Sequence, residues 1–441
     1  MEEVDGRLGL LTRRTYGMET EYSIVSALGT KEGTEFLLSL KSGRSTEQFI
    51  SNAGRLYQDC FHPEYATPEC TDPHETACYH HAGDVILRDL QRKAADLGNS
   101  IELRRDNIDW TDEFGTYNSY GCHENYLTLR CVGTTNLRRR LIPYLVSSPL
   151  LFGNGYSDPK GDYHFSVRAT ILDSIEAESA TYGYRSIINT KDEAHLPSQF
   201  RSKYSRLHLT CRDANVSEQA TFLKVASMSI VLAMIESGWT FDDLMPNSPV
   251  EAMKTLNSDI WGTQEVETVS GSKTALMIQQ AILSRVGAYL EYISGWDNLP
   301  GWIFEAYGLW TQALDDISTY SPNDWPPSSY WIDWWAKWHL LQEYRRQYPD
   351  ASAEELFIIS RQYHDLDPVE SLAQELLSSN LLVRRYSDFQ LRAAAYNPST
   401  HVRAQERALW VQKSALATEV KDITWKSCLV ANKFVPFAFA I

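Results

Sequence analysis

The chain has 441 residues, 43% hydrophobic and 22% charged, which is the composition of a globular protein with room for a large core. Its formal net charge of −16 argues against nucleic-acid binding, which usually requires a basic surface. No apolar run approaches the roughly 18 residues of a membrane span, and the seven cysteines contain no CxxC pair, so we expect a cytoplasmic protein with reduced thiols.

The first third of the chain alternates between strand and helix patterns. Residues 12–26 predict a strand, and residues 27–53 a short helix with loop connections. Residues 54–70 are strand-like around a His-Pro-Glu turn, and residues 74–97 carry apolar side chains at helical spacing. Residues 100–132 contain two strand candidates joined by a polar, aromatic loop at 106–119.

Helical patterns dominate the later part of the chain. Residues 216–238 and 272–294 are long and amphipathic, and four tryptophans recur between residues 330 and 344. Such an aromatic stripe usually packs in a core, and a ligand groove is the less common alternative. Residues 367–441 carry more arginine, so we predict a small C-terminal domain there, after a first domain of residues 1–366.

Polar side chains two residues apart recur in three strand-like segments. Residues i and i+2 of a strand share a face. The pairs are Glu19 with Glu21, His123 with Asn125, and Arg206 with His208. If these segments are neighbours in one sheet, with Asp59 and Glu64 beside them, that face can hold magnesium ions and a polyphosphate. The sequence therefore predicts an enzyme that uses ATP.

Each motif also has a less specific interpretation. Two glutamates on one strand face are often only solvated acids. Asp59 is either a general base or the cap of a turn, and Glu64 is a candidate third metal ligand. A lone histidine such as His123 is more often satisfied within a core than bound to a metal. The HEN sequence also lacks the H-E-x-x-H spacing of a zinc protease.

Several cationic side chains are candidates for phosphate contacts. Arg168, Lys191 and Arg206 lie on later strand-like segments. Arg403 and Arg407 are four residues apart, so they would share a helix face and reach a phosphate from the second domain. Any one of them alone is more often a surface or ion-pair residue. Neither GxxxxGK[ST] nor GxGxxG occurs, so a P-loop or Rossmann site is not supported.

Taken together, these segments resemble the Pup ligase family, whose other branch is the Pup deamidase and depupylase. That family is similar to the carboxylate–amine ligases of glutamine synthetase type. The matching segments are residues 13–22 (RRTYGMETEY), 55–70 (RLYQDCFHPEYATPEC), 82–85 (AGDV), 118–127 (NSYGCHENYL), 164–169 (HFSVRA), 187–195 (IINTKDEAH), 206–208 (RLH), 213–215 (DAN) and 274–280 (TALMIQQ).

The resemblance implies an α+β fold in which a curved antiparallel sheet, backed by helices, cradles ATP and Mg²⁺ beside a small C-terminal domain. By motif position, the metal and nucleotide cradle consists of Glu19, Glu21, Glu64, His123 and His208. The implied phosphate or substrate contacts are Tyr57, Asn125, Arg168 and Arg206. Asp59 falls at the catalytic aspartate, which in the ligases would accept a proton from the attacking lysine.

The resemblance also indicates which branch of the family is closer. Deamidases carry a long loop between the first glutamate strand and the catalytic aspartate, whereas only a modest segment separates Tyr22 from Asp59. We therefore expect a ligase that joins a glutamate γ-carboxylate of a Pup-like protein to a protein lysine. The alternatives are a ligase for a small carboxylate and a small amine, a depupylase-like hydrolase, and a binding protein that has lost turnover.

Four departures from the family pattern bear on the substrate. Lysine stands at position 191 where the family has arginine, and lysine cannot form a bidentate fork. The turn at residues 59–62 is one residue shorter than usual, the loop at 110–116 resembles an insertion, and the C-terminus resembles a truncated one.

Overall fold

The computed structural model describes residues 11–42, 47–111, 117–179, 184–294, 296–297, 299–416 and 419–438. The fold is α+β, with a large sheet, several two- or three-stranded sheets and many helices. Most of the segment that resembles an insertion at 110–116 lies outside the described residues.

The strands of the described residues are β1 (Tyr16–Glu21), β2 (Ser23–Ser26), β3 (Glu47–Phe49), β4 (Arg55–Asp59), β5 (His62–Ala66), β6 (Ile101–Arg104), β7 (Ile108–Thr111), β8 (Tyr117–Ser119), β9 (Cys122–Leu129), β10 (Tyr156–Ser157), β11 (Tyr163–His164), β12 (Ser174–Ala177), β13 (Ser186–Asn189), β14 (Tyr204–Leu209), β15 (Val266–Thr268), β16 (Gly271–Lys273), β17 (Val420–Lys421), β18 (Ser427–Val430) and β19 (Lys433–Pro436).

The α-helices of the same residues are α1 (Thr30–Ser42), α2 (Pro73–Asp96), α3 (Thr134–Ser147), α4 (Pro149–Phe152), α5 (Val167–Thr170), α6 (Glu218–Glu236), α7 (Pro249–Asn257), α8 (Ala275–Ser294), α9 (Gly301–Thr319), α10 (Asp333–Gln347), α11 (Ala353–Gln362), α12 (Leu372–Ser378), α13 (Asp388–Tyr396) and α14 (Val402–Leu416).

The central sheet has eight strands in the order β12-β13-β14-β9-β1-β5-β4-β3. Every neighbouring pair is antiparallel except β12 with β13. This open antiparallel sheet agrees with the fold class expected from the sequence. Strands β1, β9 and β14, which carry the three polar pairs, are neighbours at its centre together with β5, which carries Glu64.

Helices α2 and α6 cover one face of this sheet. Asp72 stabilises the N-terminus of helix α2, because its side chain caps the helix by accepting a hydrogen bond from the N–H of Glu75. The Tyr16 hydroxyl of β1 lies 2.8 Å from Ser229 Oγ of α6. Since this face is buried under helices, the opposite face of the same strands is available for a site.

Two segments contain more strands in the structure than the sequence predicted. Residues 12–26 form two strands in different sheets. The pairing of β1 with β5 ends where Tyr22 donates its N–H to the Pro63 carbonyl, because proline has no N–H to donate in return, and β2 then pairs with β6. Residues 100–132 form four strands rather than two. The segment predicted as a loop contains the β7–β8 hairpin, whose irregular register gave no apolar alternation to detect.

The tryptophans between residues 330 and 344 serve packing. Trp334 and Trp335 of α10 are 2% and 1% exposed, and their indole N–H groups donate to the carbonyls of Leu150 and Pro322. Helix α6 alone among the described helices is long and apolar enough to cross a membrane, and 94% of that stretch is buried inside the fold. A helix so enclosed is a core helix.

Candidate active site

The structure gathers predicted site residues on the uncovered face of the central sheet. Backbone pairing brings them together, because β1 places Glu19 opposite His123 of β9 and Glu21 opposite Glu64 of β5. Their side chains form two clusters in which the possible ligand atoms all lie within 4.8 Å of one another. The clusters are Glu19 with His123 and His208, and Glu21 with Asp59 and Glu64.

The first cluster combines one carboxylate with two imidazoles. His123 Nδ1 lies 3.1 Å from one oxygen of Glu19, and the His123 and His208 ring centroids are 5.0 Å apart. Burial alone would raise the pKa of Glu19, but the hydrogen bond and charge of His123 lower it below its usual value. Burial and the neighbouring His123 lower the pKa of His208 to about 3, so its imidazole is neutral near pH 7 and able to coordinate a cation.

The second cluster consists of three carboxylates, two of them buried. Glu21 is 7% and Glu64 only 1% exposed. One oxygen of Glu21 accepts the backbone N–H of Gly121 at 2.9 Å. Burial, followed by the charges of Glu21, Glu19 and Asp59, raises the pKa of Glu64 well above its usual value. Burying an ionised carboxylate without a countercharge is unfavourable, so a bound cation would stabilise this cluster.

Buried atoms without partners support that interpretation. Within ordinary hydrogen-bond geometry, neither ring nitrogen of His208 and neither carboxylate oxygen of Glu64 has a partner among the described residues, although the Tyr57 hydroxyl interacts with Glu64. Three carboxylates match the hard oxygen ligands that Mg²⁺ prefers, and the cluster with two imidazoles also suits a softer ion such as Mn²⁺. The residues present therefore fit divalent cations.

Asn125 and Arg206 extend the same face beside the first cluster. The Asn125 amide donates to the second oxygen of Glu19 at 3.1 Å, and its carbonyl oxygen accepts from Arg206 Nη1 at 3.1 Å. Arg206 Nη2 also donates to the Lys191 carbonyl at 3.2 Å. The guanidinium is thus held in one orientation beside the carboxylate. The Lys191 ammonium pairs with Glu193 at 3.2 Å and is about half exposed.

Arg168 and Tyr57 border the three-carboxylate cluster. The Arg168 side chain donates from Nε and Nη2 to the Thr210 carbonyl and from Nη1 to Ser119 Oγ. Burial lowers the pKa of Arg168, while the charge of Glu21 opposes that shift. Tyr57 lies opposite Glu64 in the β4–β5 register. Burial and that carboxylate raise the pKa of Tyr57 well above its usual value.

Arg403 lines a cavity together with residues of this sheet face, whereas Arg407 does not line that cavity. The cavity has a volume of about 130 Å³ and lies between the central sheet and the C-terminal segment, by which we mean the chain after residue 366. Besides Arg403, it is lined by Glu19, Asn125 and Arg206. The guanidinium of Arg407 is fully buried, where it pairs with Glu69 and donates to the carbonyls of Ala53 and Trp425.

Sequence reasoning missed several residues that line this cavity. They are Glu69, His195, His401 and Trp425. Glu69 and His195 lie within two of the segments that resemble the family, 55–70 and 187–195, so that match could have singled them out. His401 and Trp425 follow the last strand of the sheet by about 200 residues and lie outside the matching segments, so only their position in space finds them.

The other face of β9 shows why the two-residue spacing matters. Glu124 lies between His123 and Asn125 in sequence but points to the helix-covered side, where Arg212 Nε donates to it at 2.7 Å. Glu124 is 1% exposed and belongs to the core. Strand alternation therefore separates site residues from structural ones within a single tripeptide.

Comparison with known proteins identifies similar chains over nearly the whole length. Residues 21–429 match the family model described as Pup-ligase protein. A Pup–protein ligase from Jonesia denitrificans is 35% identical over 435 residues, which cover 94% of this chain and 91% of that one.

Solved structures agree with that result. A crystal structure of the complex between the prokaryotic ubiquitin-like protein Pup and its ligase PafA matches with a TM-score of 0.83 and 28% identity, covering 97% of this chain and 90% of that one. The Pup ligase PafA in complex with ADP matches with a TM-score of 0.74 and 28% identity, covering 92% and 89%.

Proposed function

The chain belongs to the Pup-ligase family, and we propose that it uses ATP to join a carboxylate of a Pup protein to a protein lysine through an isopeptide bond. It is an ATP-dependent carboxylate–amine ligase. The observation that carries the proposal is the pair of clusters on one sheet face, the second of which includes Asp59 at the end of β4. The similar solved structures of the Pup ligase PafA hold Pup in one case and ADP in the other.

The nucleotide would lie between the sheet and the C-terminal segment. The cavity offers the Trp425 ring to a base, and Arg403 and Arg206 supply positive charge to phosphates. From there the phosphates would extend towards Glu19 and His208. Arg168, near the second cluster, would offset negative charge on the transferring phosphoryl group.

Divalent cations, which we propose to be Mg²⁺, would be held by the two clusters. Glu21 and Glu64, with Glu19, His123 and His208, supply the ligands. When bound, the ions would neutralise the charge of the phosphate groups during transfer. The buried oxygens of Glu64, which have no partner within ordinary hydrogen-bond geometry among the described residues, are the feature that supports this assignment.

The proposed reaction has two steps. The carboxylate, expected to be a glutamate γ-carboxylate of Pup, attacks the γ-phosphorus of ATP, so that ADP leaves and an acyl phosphate forms. The lysine amine then attacks the acyl carbon, phosphate leaves, and Asp59 accepts the proton that the amine loses. Glu21 and Glu64 are buried, whereas Asp59 is partly exposed at the strand end, so an amine can approach its carboxylate.

The proposed role of Asp59 is tested by Asp59→Asn. Because an amide cannot accept the proton, we expect conjugation to fall by at least about 100-fold, the lower range for general base catalysis. Binding of ATP should persist, since the cavity and the first cluster are unchanged. The measurement is intact mass of conjugates with ATP, Mg²⁺ and a Pup protein, with nucleotide binding followed by calorimetry.

Glu47→Gln is the matched control for that variant. Glu47 lies on the neighbouring strand β3 opposite Tyr57, but its side chain is 64% exposed and outside both clusters. It should conjugate at the unmodified rate. Conjugation by Asp59→Asn at that same rate would remove Asp59 from the role of base.

The proposed magnesium site is tested by Glu64→Gln. Loss of one buried ligand should weaken Mg²⁺ binding by at least about tenfold, which is the lower end of what even an outer-shell partner contributes. Without cation, the variant should be no less stable than the unmodified chain, because it removes a carboxylate from a repulsive cluster. Calorimetric titration of Mg²⁺ in the presence of ADP, together with thermal unfolding, gives both quantities. Unchanged Mg²⁺ affinity would exclude Glu64 as a ligand.

The short connection before Asp59 supports a ligase over a depupylase-like hydrolase. Between β2 and β3 the structure describes the single helix α1, which packs against β4 and β5 of the central sheet. We also propose a cytoplasmic location, supported by the seven cysteines, all of which are free thiols in the structure.

A further inference from the structure

The turn that follows Asp59 has an unusual backbone conformation. Strands β4 and β5 are joined by only Cys60 and Phe61, with Asp59 paired to His62 across the turn. Both turn residues have positive φ angles, 44° and 79°. A two-residue hairpin turn of this kind favours Asn-Gly, because a Cβ atom crowds the following carbonyl oxygen in the left-handed conformation, which glycine avoids and asparagine tolerates.

The turn residues have little packing of their own to hold them in this conformation. Both side chains are exposed, and Phe61 is 54% exposed. One contact that holds the turn is made by its backbone: the Phe61 carbonyl accepts a hydrogen bond of 2.7 Å from the hydroxyl of Thr34. The Cys60 thiol also forms a hydrogen bond with Asp59. Thr34 of α1 is completely buried. Leu37 and Leu38 of the same helix, both 0% exposed, pack in the main hydrophobic core.

The position of this turn sets the position of Asp59. Asp59 is the last residue of β4, directly before Cys60 and Phe61. A carboxylate oxygen of Asp59 lies within 4.8 Å of carboxylate oxygens of Glu21 and Glu64. A shift of about 1 Å in a catalytic group is enough to cost about 100-fold in rate. Any contact that fixes the turn therefore bears on the reaction.

We propose that Thr34 is a positioning residue for Asp59, acting through the Phe61 carbonyl. The inference rests on the proposed function, in which Asp59 accepts the proton of the lysine amine. Thr34 is fully buried and belongs neither to the two clusters nor to the cavity lining, and its hydroxyl holds a left-handed turn that the sequence Cys-Phe does not favour. An Asn-Gly turn adopts this conformation without strain. In such a turn, Asp59 should keep its position without the hydrogen bond from the Thr34 hydroxyl.

The test compares the loss of the hydroxyl in two turn backgrounds. In the native turn, Thr34→Val should lower kcat for conjugation about 10- to 100-fold, with KM for ATP unchanged, and Thr34→Ser should restore the rate. In a Cys60→Asn, Phe61→Gly background, Thr34→Val should have little effect relative to its own parent. Comparing each variant with its parent removes any direct effect of losing the Phe61 ring.

Three outcomes would overturn the inference. They are a Thr34→Val variant with the unmodified kcat, one that loses the same factor in both backgrounds, and one that lowers only the melting temperature. Thr34→Ala replaces the valine variant if valine prevents folding. If the unmodified chain forms no conjugate, the proposed function itself fails and this inference with it. If conjugation proceeds but does not depend on Thr34, only this inference fails.

Discussion

Glu19 and Glu64 lie on neighbouring strands of one sheet face, yet their surroundings shift their pKa values in opposite directions. Both are removed from water, which by itself favours the protonated form. Glu19 has His123 and Asn125 as hydrogen-bonding partners, so its pKa falls. Glu64 has mainly other carboxylates as neighbours, so its pKa rises. Burial raises the pKa of both side chains, and the His123 contact, which only Glu19 has, offsets that effect.

A buried lysine outside the site provides a pH-dependent prediction. Lys337 of α10 is 1% exposed, and its ammonium nitrogen lies 2.7 Å from the Gly155 carbonyl oxygen and 2.6 Å from His364 Nε2. Burial lowers its pKa to about 7. The unfolded chain would keep that proton up to the usual value near 10.5, so between these values the unfolded state binds more protons and stability rises with pH.

Lys337→Met removes this contribution. From pH 7 to pH 9, the free energy of unfolding of the unmodified chain should rise relative to the variant, by at most about 1.4 kcal/mol per pH unit. Urea unfolding of the two proteins at pH 7, 8 and 9 measures the difference. Lys160→Met, which removes an exposed lysine, should leave the unmodified pH profile in place. A difference between Lys337→Met and the parent that does not change with pH would contradict the assignment.

At the scale of elements, helix α14 shows how the C-terminal segment is attached. Arg407 projects from this helix into a buried position with its guanidinium 5.1 Å from the Phe49 ring and 4.6 Å from the Trp425 ring. It pairs there with Glu69, which lies just after β5. The arginine predicted to contact phosphate thus joins the helix to the sheet, and its neighbour Arg403 is the one that lines the cavity.

Glu69→Gln is expected to loosen this attachment. Removing one partner of a buried ion pair leaves the Arg407 charge uncompensated, which costs about 3–5 kcal/mol. Because Glu69 also lines the cavity beside Arg403 and Trp425, ADP binding should weaken as well. Urea unfolding and calorimetry with ADP measure the two effects.

Asp388→Asn is the comparison for that variant. Asp388 pairs with Arg384 on the surface, where its side chain is 84% exposed, and exposed pairs contribute about 0–1 kcal/mol. If Glu69→Gln were no more destabilising than Asp388→Asn, the pair with Arg407 would not anchor α14.

At the scale of the whole molecule, the site exists because distant segments pair in one sheet. Strands β1, β5, β9 and β14 span residues 16 to 209, and each contributes one or two side chains to the two clusters. The C-terminal segment packs against the same body: the Tyr79 hydroxyl donates to the Asn397 carbonyl at 2.9 Å, and the Asn52 amide to the Ala394 carbonyl at 3.0 Å. A domain boundary after residue 366 stays a prediction.

The sequence by itself determined which side chains share a face, because strand geometry places residues i and i+2 together regardless of the rest of the fold. That rule placed Glu19 with Glu21, His123 with Asn125, and Arg206 with His208, and the roles of these side chains in the reaction stay predictions. Only the tertiary structure decided that Trp425 and His401 close the cavity, that Arg407 is an anchor, and that Thr34 holds the turn beside Asp59. These contacts join residues from about 25 to more than 380 positions apart, and no local spacing encodes them, because they arise when whole elements pack together.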